Sequence, residues 1–262
     1  MRAAAAMLVG LAMSGSASAQ ASVGVYAAGS LREAMTEVAK LWEAQGGAAL
    51  ALTFGASGLL RERIEKGEPA QVFASADTDH PQRLAAGGQW QAPSVFTRNA
   101  LCALTGPQVA ATPATLLATL LRGDVRLGTS TPGADPSGDY AWALFRKADA
   151  VRPGAFAALD AKALKLTGAA DSPKPPAGRG TYAWVMDEGQ ADVFLTYCTN
   201  AVSSQREVPR LKIVQVPPDL QVGAAYGLTV RQGAPQSARD FAVFILSAPA
   251  QAVFARLGFG AP

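Results

Sequence analysis

Three serines stand where a strand-like run gives way to a helix. Ser30 closes Val23-Gly-Val-Tyr-Ala-Ala-Gly-Ser30, Ser57 lies in Phe54-Gly-Ala-Ser-Gly58, and Ser137 follows Asp135-Pro136. A helix N-terminus carries unpaired backbone N–H groups and partial positive charge, and a neighbouring glycine lets a ligand approach the backbone closely. Such a junction suits an anion. A serine there also serves as a plain helix cap, with no ligand at all, and one junction does not decide between the two.

Other side chains offer a weaker case for covalent chemistry. Ser57 sits in Gly-Ala-Ser-Gly-Leu, so Leu59 occupies the place of the second glycine of a nucleophile elbow. The single histidine, His80, lies near Asp77 and Asp79 and could act as a base in a serine hydrolase, the outside alternative. The simpler reading makes Asp77 a helix cap and His80 a surface residue. One histidine and two cysteines, Cys102 and Cys198, cannot form a structural Cys/His zinc site. The cysteines fall in strand-like runs and are either bridged or two buried thiols. No cofactor is expected.

The elements that must position these residues follow from periodicity. Leu31, Ala34, Met35, Val38, Leu41 and Trp42 form a helical stripe. Ala49 to Phe54 reads as a strand, Leu59 to Lys66 as a helix, and Gln71 to Ser75 as a third strand. This β-α-β-α-β order predicts a parallel sheet covered on both faces, with ligands at the carboxyl ends of its strands, where Ser30 and Ser57 fall. Further on, strands are predicted at Phe96 to Leu104, Val125 to Thr129, Leu164 to Leu166, Asp192 to Cys198, Lys212 to Val216 and Ala225 to Val230. Helices are predicted at Thr115 to Leu121, Asp139 to Ala148, Thr181 to Glu188 and across Gln236 to Phe259. If Ala225 to Val230 crosses back, a second α/β unit is inserted into the first. The fold class is then two doubly wound α/β lobes joined by two hinge strands with a cleft between them, residues 20–97 plus 227–262 forming one lobe and 98–226 the other. That layout suits closure around a ligand. Tyr140, Tyr182 and Trp184 are candidates for lining the cleft, with core packing the simpler role, and Tyr26 is expected to pack within its strand.

Composition narrows the classes of partner. The 262 residues carry a formal charge of +3 with no basic block, which gives no footprint for nucleic acid but allows mild attraction of anions. Residues 1–19 read as a secretory signal, with Arg2, an apolar Ala3 to Met13 and a small-residue Ala17-Ser18-Ala19 cleavage site. An exported, periplasmic protein starting at Gln20 is expected, and no later run is long and apolar enough to cross a membrane.

Taken in order, Val25-Tyr-Ala-Ala-Gly-Ser-Leu31, Phe54-Gly-Ala-Ser-Gly58 and Pro69-Ala-Gln-Val-Phe-Ala-Ser-Ala-Asp77 resemble the periplasmic molybdate-binding proteins of ABC importers, which are type II solute-binding proteins. Pro136-Ser-Gly-Asp-Tyr-Ala141 and Thr196-Tyr197 extend the match into the second lobe. The resemblance implies a monomer that captures molybdate or tungstate and delivers it to a membrane permease, with no reaction on the ligand. It assigns hydroxyl and backbone donors to Ser30 and Ser57, backbone donors to Ser137 and Arg179, and a phenolic donor to Tyr197. A tetrahedral dianion presents only acceptors, so hydroxyls and main-chain N–H groups suffice to hold it. Arg32 and Arg179 depart from the family pattern, since the molybdate binders compared have uncharged side chains there. Guanidinium groups favour bidentate anion recognition, so sulfate, phosphate or a small carboxylate is the alternative ligand and Arg32 a further candidate contact.

Overall fold

The computed structural model describes residues 22–262. The signal-like residues 1–19 lie outside them. The chain begins with β1 (Val23–Ala28), α1 (Arg32–Ala44), β2 (Leu50–Gly55), α2 (Ser57–Glu65), β3 (Val72–Ala74) and α3 (Asp79–Ala86). A long strand, β4 (Ser94–Thr105), leads to α4 (Leu116–Leu121), β5 (Leu127–Ser130), α5 (Pro136–Val151), α6 (Ala155–Lys162) and β6 (Leu164–Thr167). Then come α7 (Thr181–Asp187), β7 (Val193–Tyr197), α8 (Cys198–Glu207), β8 (Lys212–Gln215) and β9 (Gly223–Val230). Two helices, α9 (Gln236–Ile245) and α10 (Ala248–Arg256), complete the described chain. The helical run expected over Gln236 to Phe259 is thus broken, and the two pieces meet at 53°. Pro249 in the first turn of α10 fits a new helix start better than a helix interior.

The strands form one curled sheet in the order β2-β1-β3-β9-β4-β7-β5-β6, with β8 also paired to β4. The sheet is mixed, where the strand–helix alternation predicted a parallel one. β2, β1 and β3 run parallel, as do β7, β5 and β6, but β9 and β4 enter antiparallel between these groups. β4 serves both sides. Its residues Ser94 to Ala100 pair with β9, and Leu101 to Thr105 pair with β7.

Each face of this sheet is covered by helices because the strands are apolar on both sides. Around β1 and β3, Val25 and Val72 join a core with Met35, Val38, Phe241 and Ile245 on one face. Their neighbours Tyr26 and Phe73 point the other way, to Leu60, Ile64 and Leu84 of α2 and α3. The far side repeats this arrangement. Leu127 and Leu195 pack on Leu144, Phe145 and Leu159, and Phe194 packs on Ala183 and Met186. Tyr26 sits within its strand as expected, with its hydroxyl donating to Glu68 at 2.7 Å.

Cys102 on β4 and Cys198 at the start of α8 form a disulfide with a Cα–Cα distance of 4.8 Å. Thr196 is the register partner of Cys102, so the bridge reaches one step beyond the end of β7 and fixes the first turn of α8 to the sheet. The bridged residues are 96 apart in sequence, a loop for which denatured-state constraint is worth roughly 4.7 kcal/mol, with delivered values more often about 2–4 kcal/mol. A Cys102→Ser, Cys198→Ser double variant should therefore unfold at lower denaturant concentration than the oxidised protein. Chemical denaturation of both would check this, and equal midpoints would show that the bridge adds no stability.

Candidate functional site

The carboxyl ends of the strands on both sides of the β4–β9 pair face one another across a cavity of about 950 Å³. Ser30, Arg32 and Ser57 border it from one side, and Asp135, Arg179 and Tyr197 from the other. Ser137 does not border it. Its backbone N–H donates to Asp135 Oδ1 at 3.0 Å, and its hydroxyl is buried with no partner. The expected backbone donor at Arg179 is likewise engaged, giving its N–H to Pro176 O at 3.1 Å. The Arg179 guanidinium is held by Glu207 at 2.6 Å and Asp187 at 2.9 Å.

None of the three serines acts as a side-chain cap. Ser30 lies inside a single 3-10 turn, Gly29–Leu31, before α1, Ser57 is the first residue of α2, and the cap of α5 is Asp135. The serine hydroxyls are used differently. Asn99 on β4 accepts the Ala100 N–H through Oδ1 at 2.9 Å, which fixes its amide so that Nδ2 faces the cavity wall. Nδ2 donates to Thr199 Oγ1 at 2.8 Å and to the Tyr226 hydroxyl at 3.3 Å. Tyr226 is fully buried, and burial raises its pKa, so it keeps its proton; its oxygen already accepts from Asn99, and the arrangement that also places its own buried hydrogen has it donating to Ser30 Oγ, 3.0 Å away. Ser57 Oγ in turn accepts the Ala76 N–H at 3.1 Å. Ser30, Thr199 and Ser57 each receive one hydrogen from the protein, which leaves their own hydroxyl hydrogens for the cavity.

Tyr197, also kept protonated by burial, donates across the cavity to Ala76 O at 3.1 Å. Arg32 borders the cavity and lies over the Phe54 ring at 4.6 Å while its side chain stays exposed to solvent. Tyr182 borders the cavity and packs edge-on to Phe194 at 5.2 Å, while Tyr140 packs against Tyr197 at 6.1 Å.

A whole group of lining residues escapes sequence periodicity. Thr199, Asn200, Ser203 and Glu207 come from α8, where the sequence predicts a strand ending at Cys198 and no helix after it. Cys198-Thr-Asn-Ala-Val-Ser-Ser carries no apolar stripe and several weak helix formers. The available signal is its polar residues at 199, 200, 203 and 207, which fall on one helical face.

His80 is buried at 3% exposure, a correction to its reading as a surface residue. The first turn of α3 is tucked under β9, with Asp77 O accepting the Gly227 N–H, and this brings the imidazole inside. Asp77 does hold the helix start, accepting the His80 N–H at 3.2 Å. Burial lowers the His80 pKa and raises that of Asp77, and the ring lies 3.7 Å from the carboxylate. Neither ring nitrogen has a hydrogen-bond partner, so no serine is paired with this base.

The two sides of the cavity touch directly. Gly58 N–H donates to Ala134 O at 2.9 Å, and a Cβ on Gly58 would lie 2.4 Å from Gly133 O. Arg206 and Glu33 also meet across the mouth at 2.7 Å, an exposed pair of small worth. This is a closed cleft between the two parts of a curled α/β sheet, the arrangement of a solute-binding protein.

The chain belongs to the bacterial extracellular solute-binding protein family, whose model matches residues 23–260. It is 36% identical over 209 residues to an uncharacterised protein of Pasteurella multocida, spanning 78% of this chain and 85% of that one. Among solved structures it is similar to L-phospholactate-bound PEB3, a protein of Campylobacter jejuni (TM-score 0.71, 16% identity, 92% of this chain and 100% of that one). It is also similar to the periplasmic molybdate-binding protein of Azotobacter vinelandii (TM-score 0.70, 18% identity, 92% and 99%). At such identities the likeness shows the fold, that of type II periplasmic binding proteins. The chain is thus a bacterial extracellular solute-binding protein.

Closure depends on the bare backbone at Gly58. Gly58→Ala is expected to weaken binding of the anion that best raises the wild-type melting temperature by at least about tenfold, or about 1.4 kcal/mol. Alanine suits a helix better than glycine does, so the ligand-free stability should hold or rise. Titration calorimetry beside thermal unfolding would check this, and unchanged affinity would show that the contact does not limit closure.

Proposed function

We propose that the cavity captures an oxyanion outside the cytoplasmic membrane and that closure of the lobes, residues 20–97 with 227–262 and residues 98–226, presents it to a permease. The observation that carries this reading is the orientation of the hydroxyls. Ser30, Ser57 and Thr199 each accept a hydrogen from the protein, so each has its own hydrogen to give, and an anion is the ligand that accepts several at once. Tyr197 adds a fourth donor when its bond to Ala76 O is exchanged for one to the ligand. Such a site needs no salt bridge to offset the desolvation of the ion. The motif resemblance makes molybdate or tungstate the first candidates. The signal-like N-terminus supports a periplasmic location.

The size of the cavity favours a second ligand class. About 950 Å³ exceeds the needs of a bare tetrahedral ion and falls in the range of sites for organic ligands, about 300–1,000 Å³. Beyond the serines the lining continues through Thr36, Lys174, Asn200 and Ser203, which would suit the polar body of a phosphorylated or carboxylated small molecule.

Thermal unfolding of dialysed protein against molybdate, tungstate, sulfate, phosphate and small organic phosphates tests the reading. A ligand at about 100 times its dissociation constant should stabilise by roughly 2.7 kcal/mol. Ser30→Ala and Ser57→Ala should each cost about 1–3 kcal/mol of binding free energy, the effect of losing a buried donor. Absence of any shift, or full affinity in both variants, would overturn the assignment.

A further inference from the structure

We propose that Asp135 selects the ligand by accepting a hydrogen from it, so that the site prefers an oxyanion bearing its own hydrogen donor over a bare tetrahedral dianion. This rests on the reading of the cavity as an oxyanion site.

The lining is otherwise arranged to donate, and Asp135 is its exception. Three other carboxylates border the cavity, and each has a basic partner: Glu33 with Arg206, Glu37 with Arg256, and Glu207 with Arg179. Among the described residues no basic group lies within 4 Å of the Asp135 carboxylate. Its position is fixed. As the cap of α5 it receives the Ser137 N–H at 3.0 Å, and Gly168, at φ +88°, packs so closely that a Cβ there would lie 2.6 Å from Asp135 Cβ. The cap bond and this close approach hold the carboxylate at the cavity.

An ionised carboxylate accepts hydrogen bonds and donates none. Sulfate and molybdate are the same in this respect, so either one beside Asp135 places like charges together. One remedy is to protonate Asp135. The other is a ligand that brings the hydrogen, on its tetrahedral group or on a neighbouring hydroxyl.

Burial pushes the Asp135 pKa up to about 6, against the lowering effects of the Ser137 N–H and the Ser130 hydroxyl. Facing it are Asp139 from its own helix and Asp77 from the loop after β3, both of which raise it further. Tyr182, Tyr197 and Tyr226 also face it and are held protonated by burial, and Arg32, Lys174 and Arg179 are the cations of the lining. Above pH 6 the carboxylate is therefore ionised, and a bare dianion must bind together with a proton. Its affinity then falls by roughly tenfold per pH unit, whereas a hydrogen-bearing anion escapes this loss.

Titration calorimetry at constant ionic strength tests the idea with sulfate and molybdate as bare dianions. Inorganic phosphate carries hydrogen on the tetrahedral group, and glycerol 3-phosphate carries it on neighbouring hydroxyls. At pH 8 the wild-type protein should bind at least one of the latter pair tenfold more tightly than either bare dianion, and the tighter of the two tells where the hydrogen sits. Asp135→Asn should erase the preference, because its amide oxygen still takes the Ser137 N–H while its NH₂ donates to a bare dianion, which gains tenfold or more. Independently of the variant, the wild-type ratio of phosphate to sulfate affinity should rise about tenfold per unit between pH 6 and 8. A wild-type preference for bare dianions at pH 8, or a flat ratio, overturns the role of Asp135. If Ser30→Ala still weakens anion binding in that case, the oxyanion site stands. If no anion binds either protein at any pH, the oxyanion reading itself falls.

Discussion

The antiparallel pairing of β4 with β9 is the constraint on which the rest of the molecule hangs. Along Ser94 to Ala100 the two strands hold each other, and only beyond Ala100 does β4 turn to its partners β7 and β8. The chain therefore passes between the two sides on a ribbon of two strands, a joint that bends more easily than a wide sheet shears. Asn99 lies in this ribbon and directs Tyr226, itself on β9, toward Ser30. The ribbon that joins the two sides is also the part that orients the cavity's donors.

Much of this was legible from residue order. The apolar strand runs ending in Gly-Ser and Gly-Ala-Ser-Gly place Ser30 and Ser57 at strand ends, because an apolar run followed by glycine and a helical stripe has few other foldings. Alternation could not reveal that β4 and β9 run against their neighbours, since strand direction leaves no mark on which side chains are apolar. Nor could it find α8, whose stability comes from a disulfide and from packing on β4 instead of an amphipathic stripe. His80 was misread for a similar reason. A histidine beside two aspartates looks solvent-exposed, and only the way α3 folds under β9 makes it internal.

Side-chain function was less legible than backbone position. Serine at a helix start suggests a cap, yet here Ser30 and Ser57 make no cap bond, Asp135 caps α5, and the hydroxyls are turned elsewhere. What turned them are residues far away in the chain, Tyr226 for Ser30 and Ala76 for Ser57. Sequence spacing shows where a hydroxyl can be. It does not show which of its two roles, donor or acceptor, has already been taken.

The contact of Gly58 with the carbonyls of Gly133 and Ala134 also bears on time as well as affinity. A ligand enclosed behind touching backbones cannot leave by breaking its own hydrogen bonds one by one, because its path opens only when the two sides separate. Its residence is then limited by the bending of the β4–β9 ribbon, a motion of the kind that runs on microsecond to millisecond scales. On the proposed reading the Gly58 contact would enter both how tightly a solute is held and how quickly it is handed on, because both depend on the same separation of the two sides.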